Sequence, residues 1–417
     1  MRHSIIGFLL FVLASCVLCC ATDDYVFEKD TSGAVDANFS ISEADALEMA
    51  RAFIGNFDAR TRAAGDNRIV DQVVPIVRKD VGVTRSDDNR SLLPDTLFYA
   101  VNLNDNNGYV IVAADRRVGG VVAFVENGTF NFERLANSEE LSLFFSGMID
   151  YYEDAVKGML FGADSMHPLN PPVYQTDFSI DTIVGPLLTT IWGQKAPFNG
   201  KCPLTSKGKR SLAGCVPVAS SQIIAYHEYP DSFAGHIYDW SYILLGPIPT
   251  TDTGEEDVAN LIYDIGVLQG IDYSDTLSGS RNPKVCQSFD SLGYTCTSLS
   301  DFDVYVCMHE VEKSRPVYVQ GEGYRLKNDS DSLPIGHAWV VDGYLHDKCS
   351  LYSAVRGDIG FYIRNLLHCN WGLDGAYNGF YLGSAFDTRK RVYDSNVTRA
   401  LFFDKNIRMC YNIRPKE

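Results

Sequence analysis

The uneven distribution of reactive side chains constrains this chain more than any other feature. The 417 residues include 8 histidines and 11 cysteines, yet none of them lies between Ala21 and Met166. A segment so poor in nucleophiles and bases is expected to fold, bind or block rather than to catalyse. Apart from His167 and those in the first twenty residues, every histidine and cysteine follows residue 181. We therefore expect any chemistry in residues 182–417.

The two parts are separated by "GADSMHPLNPPVYQTDFSID", residues 162–181. Three prolines and few apolar residues are typical of an exposed linker that a protease can cut. We predict that the cut falls between Gly162 and Thr182.

The upstream part, residues 40–161, has the pattern of a compact α+β unit. "SISEADALEMARAFIGNF" predicts an amphipathic helix with Ser42 as its N-cap. The following alternating apolar run is broken by Asn107 and Gly108, which favour a hairpin turn. A second helix is predicted over about residues 138–160.

The first residues, "MRHSIIGFLLFVLASC", have a short basic start and an apolar core, Ile5–Leu13, too short to span a bilayer. They predict a signal peptide, residues 1–20, followed by a polar tether, residues 21–39. Leu-Ala-Ser-Cys resembles a bacterial lipoprotein processing box, so we expect export, acylation of Cys16 and a membrane anchor. The alternative is an ordinary signal peptide cut near "CCATDD".

Composition and motifs argue against several classes of function. The net charge of −17 is spread along the chain, and no basic stripe with interleaved aromatics predicts a nucleic-acid partner. The eight cysteines after the leader form no CxxC pair, so neither a zinc ribbon nor a thioredoxin-like site is indicated. Without HExxH or a carboxylate cluster, we expect no metal and no organic cofactor.

Cys215 is the candidate nucleophile, in the stretch "AGCVPVASSQIIAYHEYP". Pro217 is tolerated only in the first turn of a helix, which places Cys215 at the helix N-terminus. Backbone N–H groups and the helix dipole favour a thiolate there. Taken alone, the stretch favours a small buried structural cysteine over a nucleophile.

A nucleophilic thiol needs a base, and His337 is the best candidate. It follows Gly336 and precedes a strand-like run that would hold its ring rigidly. His227 lies three helical turns beyond the candidate thiol and cannot reach it. His368 could be a satisfied core histidine, and the other histidines of this region lie in polar, loop-like contexts.

An orienting group and an oxyanion donor complete the candidate site. Asn370 and Trp371, in "LLHCNWGLDGAYNGFYL", could orient the imidazole and shield that hydrogen bond from water. Asp342 is a rival orienter, but it lies five residues along the strand of the candidate base, too far to reach back. Gln194, in "TTIWGQKAPFN", could donate to an oxyanion together with the backbone N–H of the nucleophile.

Five pieces, "WGQKAPFN", "GCVPVASSQIIAYHEYP", "RPVYVQGEG", "GHAWVVDGY" and "HCNWGLDGAYNGFYL", follow one another between Ile191 and Leu382. Their order is similar to that of papain-type cysteine peptidases, and their finer pattern resembles the streptopain family of secreted bacterial peptidases. The upstream "GYVIVAADRRVGGVVAFVENGTF" resembles the inhibitory propeptide of that family. The resemblance implies Cys215 as nucleophile, His337 as general base and then acid, and Gln194 in the oxyanion hole. It implies that Asn370 and Trp371 orient and cover the histidine. Gly336, and Ser280 in the stretch "DTLSGSRNP", would contact the substrate.

The implied fold is α+β: a papain-like domain, residues 182–417, with a helical lobe and an antiparallel β lobe around a cleft, preceded by the α+β prodomain. The implied function is an exported cysteine endopeptidase made as a zymogen, with protein or peptide substrates and its own propeptide as inhibitor. Two alternatives stay open, a catalytically silent surface lipoprotein with this fold and another Cys-His-Asn acyl-transfer enzyme. Leu373-Asp374 stands where the family has a second Trp-Gly, which removes an aromatic wall from the leaving-group side.

Overall fold

A computed structural model describes residues 39–61, 68–81, 94–116, 118–161, 173–174, 178–280, 283–324, 334–353, 357–386 and 406–416. The predicted signal peptide with Cys16, the tether up to residue 38 and linker residues 162–172 and 175–177 lie outside the described residues. The helices are α1 (Glu43–Thr61), α2 (Phe132–Asn137), α3 (Glu139–Phe161), α4 (Cys215–His227), α5 (Trp240–Ile243), α6 (Asp252–Gln269), α7 (Val285–Ser291) and α8 (Val304–Glu312). The strands are β1 (Val70–Val77), β2 (Thr96–Leu103), β3 (Tyr109–Ala113), β4 (Val121–Val125), β5 (Val173–Tyr174), β6 (Phe178–Val184), β7 (Ser232–Phe233), β8 (His236–Ile237), β9 (Tyr294–Thr295), β10 (Ser300–Asp301), β11 (Val317–Tyr324), β12 (Pro334–Ser353), β13 (Gly357–Asn370), β14 (Gly379–Leu382), β15 (Arg408–Cys410) and β16 (Arg414–Pro415).

One antiparallel sheet runs through both parts of the chain. Its strands follow the order β1-β2-β3-β4-β14-β13-β12-β11-β15-β10, and β5 and β6 also pair with β12. The upstream part joins the downstream part where β4 pairs with β14, with Phe124 opposite Phe380. Residues 178–181 of the predicted linker belong to β6 and therefore to this sheet. The predicted α+β fold with an antiparallel β lobe is confirmed.

The upstream unit has the helices and the hairpin that its sequence predicts. Ser42 caps α1: its Oγ accepts a hydrogen bond from the Asp45 N–H at 3.1 Å, and the Asp45 carboxylate accepts one from the Ser42 N–H at 3.2 Å. Strands β2 and β3 form the antiparallel hairpin, and α3 is the second helix. The Phe57 ring of α1 packs edge-on against Phe124 and Phe380, with centroids 5.0 and 5.5 Å apart. The apolar core is thus continuous across the β4–β14 junction.

The helical lobe has a second apolar core of its own, built around α4. Pro217 lies in the first turn of α4, as predicted, and all residues from Val216 to Ala225 are buried. Trp192, Phe198 and residues of α6 pack against this helix. Within the described ranges, none of the helices combines the length and the apolar character needed to cross a membrane.

Candidate active site

The Cys215 thiol lies at the mouth of the helical lobe. α4 begins at Cys215, which is half-buried, while the rest of the helix runs into the core. Gly214 precedes it with φ 93°, a backbone conformation that favours glycine. A Cβ at Gly214 would lie 3.0 Å from the Ser278 carbonyl oxygen, so the loop around Ser278 packs directly on this turn.

The His337 ring is buried between the thiol and the upstream unit. β12 carries His337 opposite Gly321 of β11. Its Nε2 donates a hydrogen bond to the Trp371 carbonyl oxygen at 2.8 Å, and the ring also hydrogen-bonds Cys215. On the other side, Nδ1 lies 3.3 Å from Oε1 of Glu140, at the start of α3. The structure therefore brings the predicted nucleophile and base together and adds a carboxylate from the upstream unit.

These neighbours determine the charge of the imidazole. Burial alone lowers the pKa of His337, but the Glu140 carboxylate, together with Cys215 and the Trp371 carbonyl, outweighs it and raises the pKa to about 10. The ring is thus an imidazolium at neutral pH, paired with a carboxylate. In this state it cannot accept a proton, which is what a general base must do.

Sequence reasoning missed Glu140. The Ser138 hydroxyl donates to its Oε2 at 2.8 Å and accepts from the Leu141 N–H at 3.0 Å, so Oε1 is left to face His337. Both Ser138 and Glu140 are buried. An acid in the first turn of a helix is ordinarily explained by the helix dipole. Glu140 differs from such a residue because its carboxylate is buried, and that burial depends on the fold rather than on the local sequence.

Asn370 and Trp371 lie beside the base at the end of β13. Asn370 Nδ2 donates to the Thr190 carbonyl at 2.7 Å, and its Oδ1 accepts from Gln222 Nε2 at 3.2 Å. Among the hydrogen bonds of the described residues, none joins Asn370 to His337, so its orienting role stays a prediction. The Trp371 ring is fully buried with its centroid 5.8 Å from that of His337, where it covers the imidazole.

Gln222 is a further residue that sequence reasoning missed. It is buried on α4, and its Oε1 accepts from Thr190 Oγ1 at 3.0 Å and from the Trp192 N–H at 3.2 Å. Together with its contact to Asn370, this amide links the nucleophile helix, the loop before Gln194 and the end of β13. It directly follows Ser220 and Ser221 in the predicted helix, and no local pattern sets it apart from these two polar neighbours.

The loop of Gln194 is tied to the nucleophile by a backbone hydrogen bond. The Ala213 N–H donates to the Gln194 carbonyl at 2.9 Å, which places this loop next to the N-terminus of α4. Asp374, part of the Leu373-Asp374 departure from the family pattern, lies in the segment between β13 and β14 and packs against this loop: a Cβ at Gly193 would be 2.2 Å from Asp374 Oδ1. Burial raises the pKa of Asp374 although Lys195 opposes the shift.

Of the two predicted substrate contacts, Gly336 directly precedes the base, and Ser280 follows the loop residue that packs beside the nucleophile. Gly336 is exposed on β12 next to the base. Among the described residues other than its chain neighbours, only the Gly321 carbonyl oxygen lies within 4 Å of a Cβ built there, at 3.8 Å. Ser280 is half-buried, two residues after Ser278, whose carbonyl packs on Gly214.

His368 and Asp342, the rival residues, form a separate buried group. His368 Nδ1 lies 2.5 Å from Asp342 Oδ1, and its Nε2 lies 3.2 Å from Oε2 of Glu126, just after β4. Burial lowers the pKa of His368, but Asp342 and then Glu126 outweigh it and raise the pKa to about 10. Asp342 therefore pairs with His368 rather than with His337.

Two family models match the chain. Residues 192–381 match the peptidase C10 family, and residues 38–150 match the Spi protease inhibitor. The first match contains all the predicted catalytic residues, and the second contains Glu140.

Individual relatives agree with these matches. The thiol protease/hemagglutinin PrtT of Porphyromonas gingivalis is 25% identical over 329 residues, which cover 69% of this chain and 34% of that protein. This chain therefore spans about a third of the length of PrtT. Streptopain of Streptococcus pyogenes is 22% identical over 411 residues, covering 83% of this chain and 85% of streptopain. A prointerpain A fragment of Prevotella intermedia superposes with a TM-score of 0.50 at 20% identity, over 77% of this chain and 96% of the fragment, and shares the fold.

Proposed function

Because the chain belongs to the peptidase C10 family, with an inhibitor domain upstream, we propose that it is a cysteine endopeptidase made as an inactive precursor. The observation that carries this proposal is the contact of His337 with both Cys215 and Glu140. The first contact is that of a nucleophile with its base, and the second holds the base in its acid form. We assign residues 40–161 to the propeptide and residues 182–417 to the peptidase.

In the mature enzyme, His337 takes the proton of the Cys215 thiol, and the thiolate attacks the carbonyl carbon of a peptide bond. The side chain of Gln194 and the Cys215 N–H stabilise the oxyanion of the tetrahedral intermediate. The imidazolium then protonates the leaving amine, and the C–N bond breaks to give a thioester. Water, deprotonated by His337, hydrolyses the thioester and regenerates the thiol.

In the precursor, the Glu140 carboxylate keeps His337 protonated and engages Nδ1. Removing the propeptide removes this partner, so the pKa of His337 falls towards the range of a general base. In our proposal the freed ring turns towards Asn370, under the Trp371 indole. Since β6 belongs to the sheet of the peptidase, we place the cut before it, in the prolines of the linker.

The substrates in this proposal are proteins or peptides whose backbone passes Gly336 and Ser280. We further propose export from a bacterial cell and anchoring through acylated Cys16. Growth with an alkyne-labelled fatty acid tests the anchor: the label should enter the wild-type chain and be lost in Cys16→Ala. Equal labelling of both chains would contradict it.

The central test follows the intact mass of residues 21–417 as wild type and as Cys215→Ala. We expect the wild type alone to lose about its first 150 residues, a size set by the domain boundary, and then to carry one epoxysuccinyl adduct on Cys215. If neither form matures, an external protease that cuts the linker is added. A freed domain that refuses the inhibitor and cleaves no peptide would favour the silent lipoprotein, and transfer to added amines in place of hydrolysis would favour an acyl-transfer enzyme.

A further inference from the structure

Three cysteines that the proposed chemistry does not use converge in the peptidase. Cys286 lies on α7, Cys296 directly follows β9, and Cys410 ends β15. Their sulfur atoms all lie within 4.8 Å of one another, and those of Cys286 and Cys410, 124 residues apart in sequence, are 3.5 Å apart. We call these three residues the thiol cluster.

A backbone carbonyl faces the thiol cluster. The Thr297 oxygen accepts from Cys286 Sγ at 3.0 Å and from Cys410 Sγ at 3.1 Å. Cys410 is fully buried, whereas Cys286 and Cys296 are half-buried, so the group is formed in the interior and is open to solvent on one side. Within the described residues, it is the one set of three histidines, cysteines or acids with the spacing of metal ligands.

The spacing separates two explanations of the thiol cluster. A disulfide requires sulfurs about 2.05 Å apart, and three thiols can form only one such bond, leaving the third unpaired. Thiolates about 2.3 Å from a shared cation lie roughly 3.8–4.0 Å from one another. The distances of 3.5 Å to at most 4.8 Å bracket the second value. We propose that Cys286, Cys296 and Cys410 bind one thiophilic d¹⁰ cation, Zn²⁺ or Cu⁺, as a structural site.

The ligand set explains this choice of cation. Three soft sulfur ligands without a carboxylate select zinc or copper(I) over magnesium or calcium. A trigonal set of three thiolates suits Cu⁺, and the Thr297 carbonyl, which contacts two of the three sulfurs, is the candidate fourth ligand of a tetrahedral zinc site. Binding replaces the three S–H protons, which pass to solvent, and no electrons are transferred.

The cation would connect Cys286 and Cys296, which are ten residues apart, to Cys410 on the distant strand β15. β15 pairs with β11 at Cys410 and Tyr318, and β11 in turn pairs with the strand of His337. α7 follows the loop that packs on Gly214. One ligand of the site therefore lies two strands away from His337 in the same sheet. The site does not depend on the proposed peptidase activity.

The test uses the full chain in the Cys215→Ala form, which removes the reactive thiol and keeps the chain intact. Metal analysis after purification, and titration of the chelator-treated protein with Co²⁺, Zn²⁺ and Cu⁺, give stoichiometry and affinity. We expect one equivalent, a thiolate-to-Co²⁺ charge-transfer band that Zn²⁺ abolishes, and a higher melting temperature with metal. Tighter retention of Cu⁺ than of Zn²⁺ under competing chelators identifies the trigonal site, and the reverse identifies the tetrahedral one.

Single variants locate the site. Cys286→Ser, Cys296→Ser and Cys410→Ser should each weaken metal binding at least tenfold, whereas Cys202→Ser, a buried cysteine of the same lobe, should not. Should the serine variants fail to fold, titration of the chain with its cluster intact still decides the matter. A disulfide within the thiol cluster, found by peptide mapping without reduction, or the absence of any stoichiometric metal would overturn the proposal.

Discussion

Two buried histidines lie at the boundary between the propeptide and the peptidase, and they differ in their second partner. His337 faces Glu140 at 3.3 Å, and His368 faces Glu126 at 3.2 Å. The surrounding charges raise the pKa of each ring to about 10. The other nitrogen of His368 bonds a carboxylate of the peptidase itself, whereas that of His337 bonds the neutral Trp371 carbonyl.

This difference determines what happens when the propeptide leaves. His368 keeps Asp342 and stays an imidazolium in a permanent ion pair. His337 loses Glu140 and with it the main reason for its charge. A histidine and a carboxylate thus form a structural pair at His368 and Asp342, whereas at His337 and Glu140 they form a pair whose carboxylate leaves with the propeptide.

The largest expected effect is the loss of catalytic activity when His337, but not His368, is replaced. His337→Gln should lower kcat/KM for a fluorogenic peptide by about 10⁴-fold, since it removes the general base. His368→Gln should leave kcat within about tenfold but lower the free energy of unfolding by roughly 3–5 kcal/mol, because Asp342 is left buried and unpaired. Denaturant unfolding and steady-state kinetics measure the two quantities. Equal losses of activity in both variants would erase the distinction.

Asn370→Ala tests which partner the ring has after maturation. We expect kcat of the mature enzyme to fall by about 10²-fold, the effect of a misplaced catalytic group. The pKa of His337 in the precursor should hardly change, because the ring there bonds Trp371 and Glu140 instead. Kinetics and NMR titration of the ring give both readouts, with Asn412→Ala as the control. A large shift of this pKa in the precursor would contradict the proposed turn of the ring.

Replacing each of the two propeptide carboxylates by an amide, one at a time, tests the comparison from the side of the propeptide. Glu140→Gln should speed self-processing of the precursor about tenfold, equivalent to ~1.4 kcal/mol of activation free energy. Glu126→Gln should change the rate less than about threefold, or 0.7 kcal/mol, since its partner does no chemistry. The rate is measured as the loss of intact precursor mass over time. Each variant is also mixed with the Cys215→Ala precursor, which serves as a substrate that cannot cut itself. Identical rates in the two variants would show that Glu140 only holds the domains together.

The smallest expected effect is on the pH dependence of precursor stability. Both histidines have raised pKa values, so their stabilisation is complete below about pH 6.5 and is lost as the pH rises through about 10. The His368 charge lowers the pKa of Glu126 against the effect of burial, so its share is present above about pH 4.5 and is lost as the pH falls. Urea midpoints should be highest between these limits. Glu140→Gln should flatten the alkaline side, and an unchanged slope would argue against this linkage.

The sequence predicted the elements that carry a periodic or capping signal. The α1 helix after Ser42, the hairpin at Asn107 and the helix that begins at Cys215 are all confirmed. Cys215, His337 and Trp371, which the structure brings together, could be predicted because each lies in a readable motif: the first two follow a glycine, and Trp371 directly follows β13. Glu140 and Gln222 could not be found in this way, since their roles come from burial against residues 197 and 148 positions away in the chain. The thiol cluster is hidden for the same reason: its spacing forms no local motif.

The continuous sheet has a consequence for the mature enzyme. While the propeptide is in place, Gly379–Leu382 is an interior strand with β4 on one side and β13 on the other. Once β4 is gone, this segment becomes an open edge, and the Phe380 ring loses its cover from Phe57. Unpaired edges are templates for added strands and a source of aggregation. Maturation therefore exposes a strand edge that can pair with another chain, as well as the catalytic centre. This edge strand has only four residues, which limits how much of another chain it can pair with.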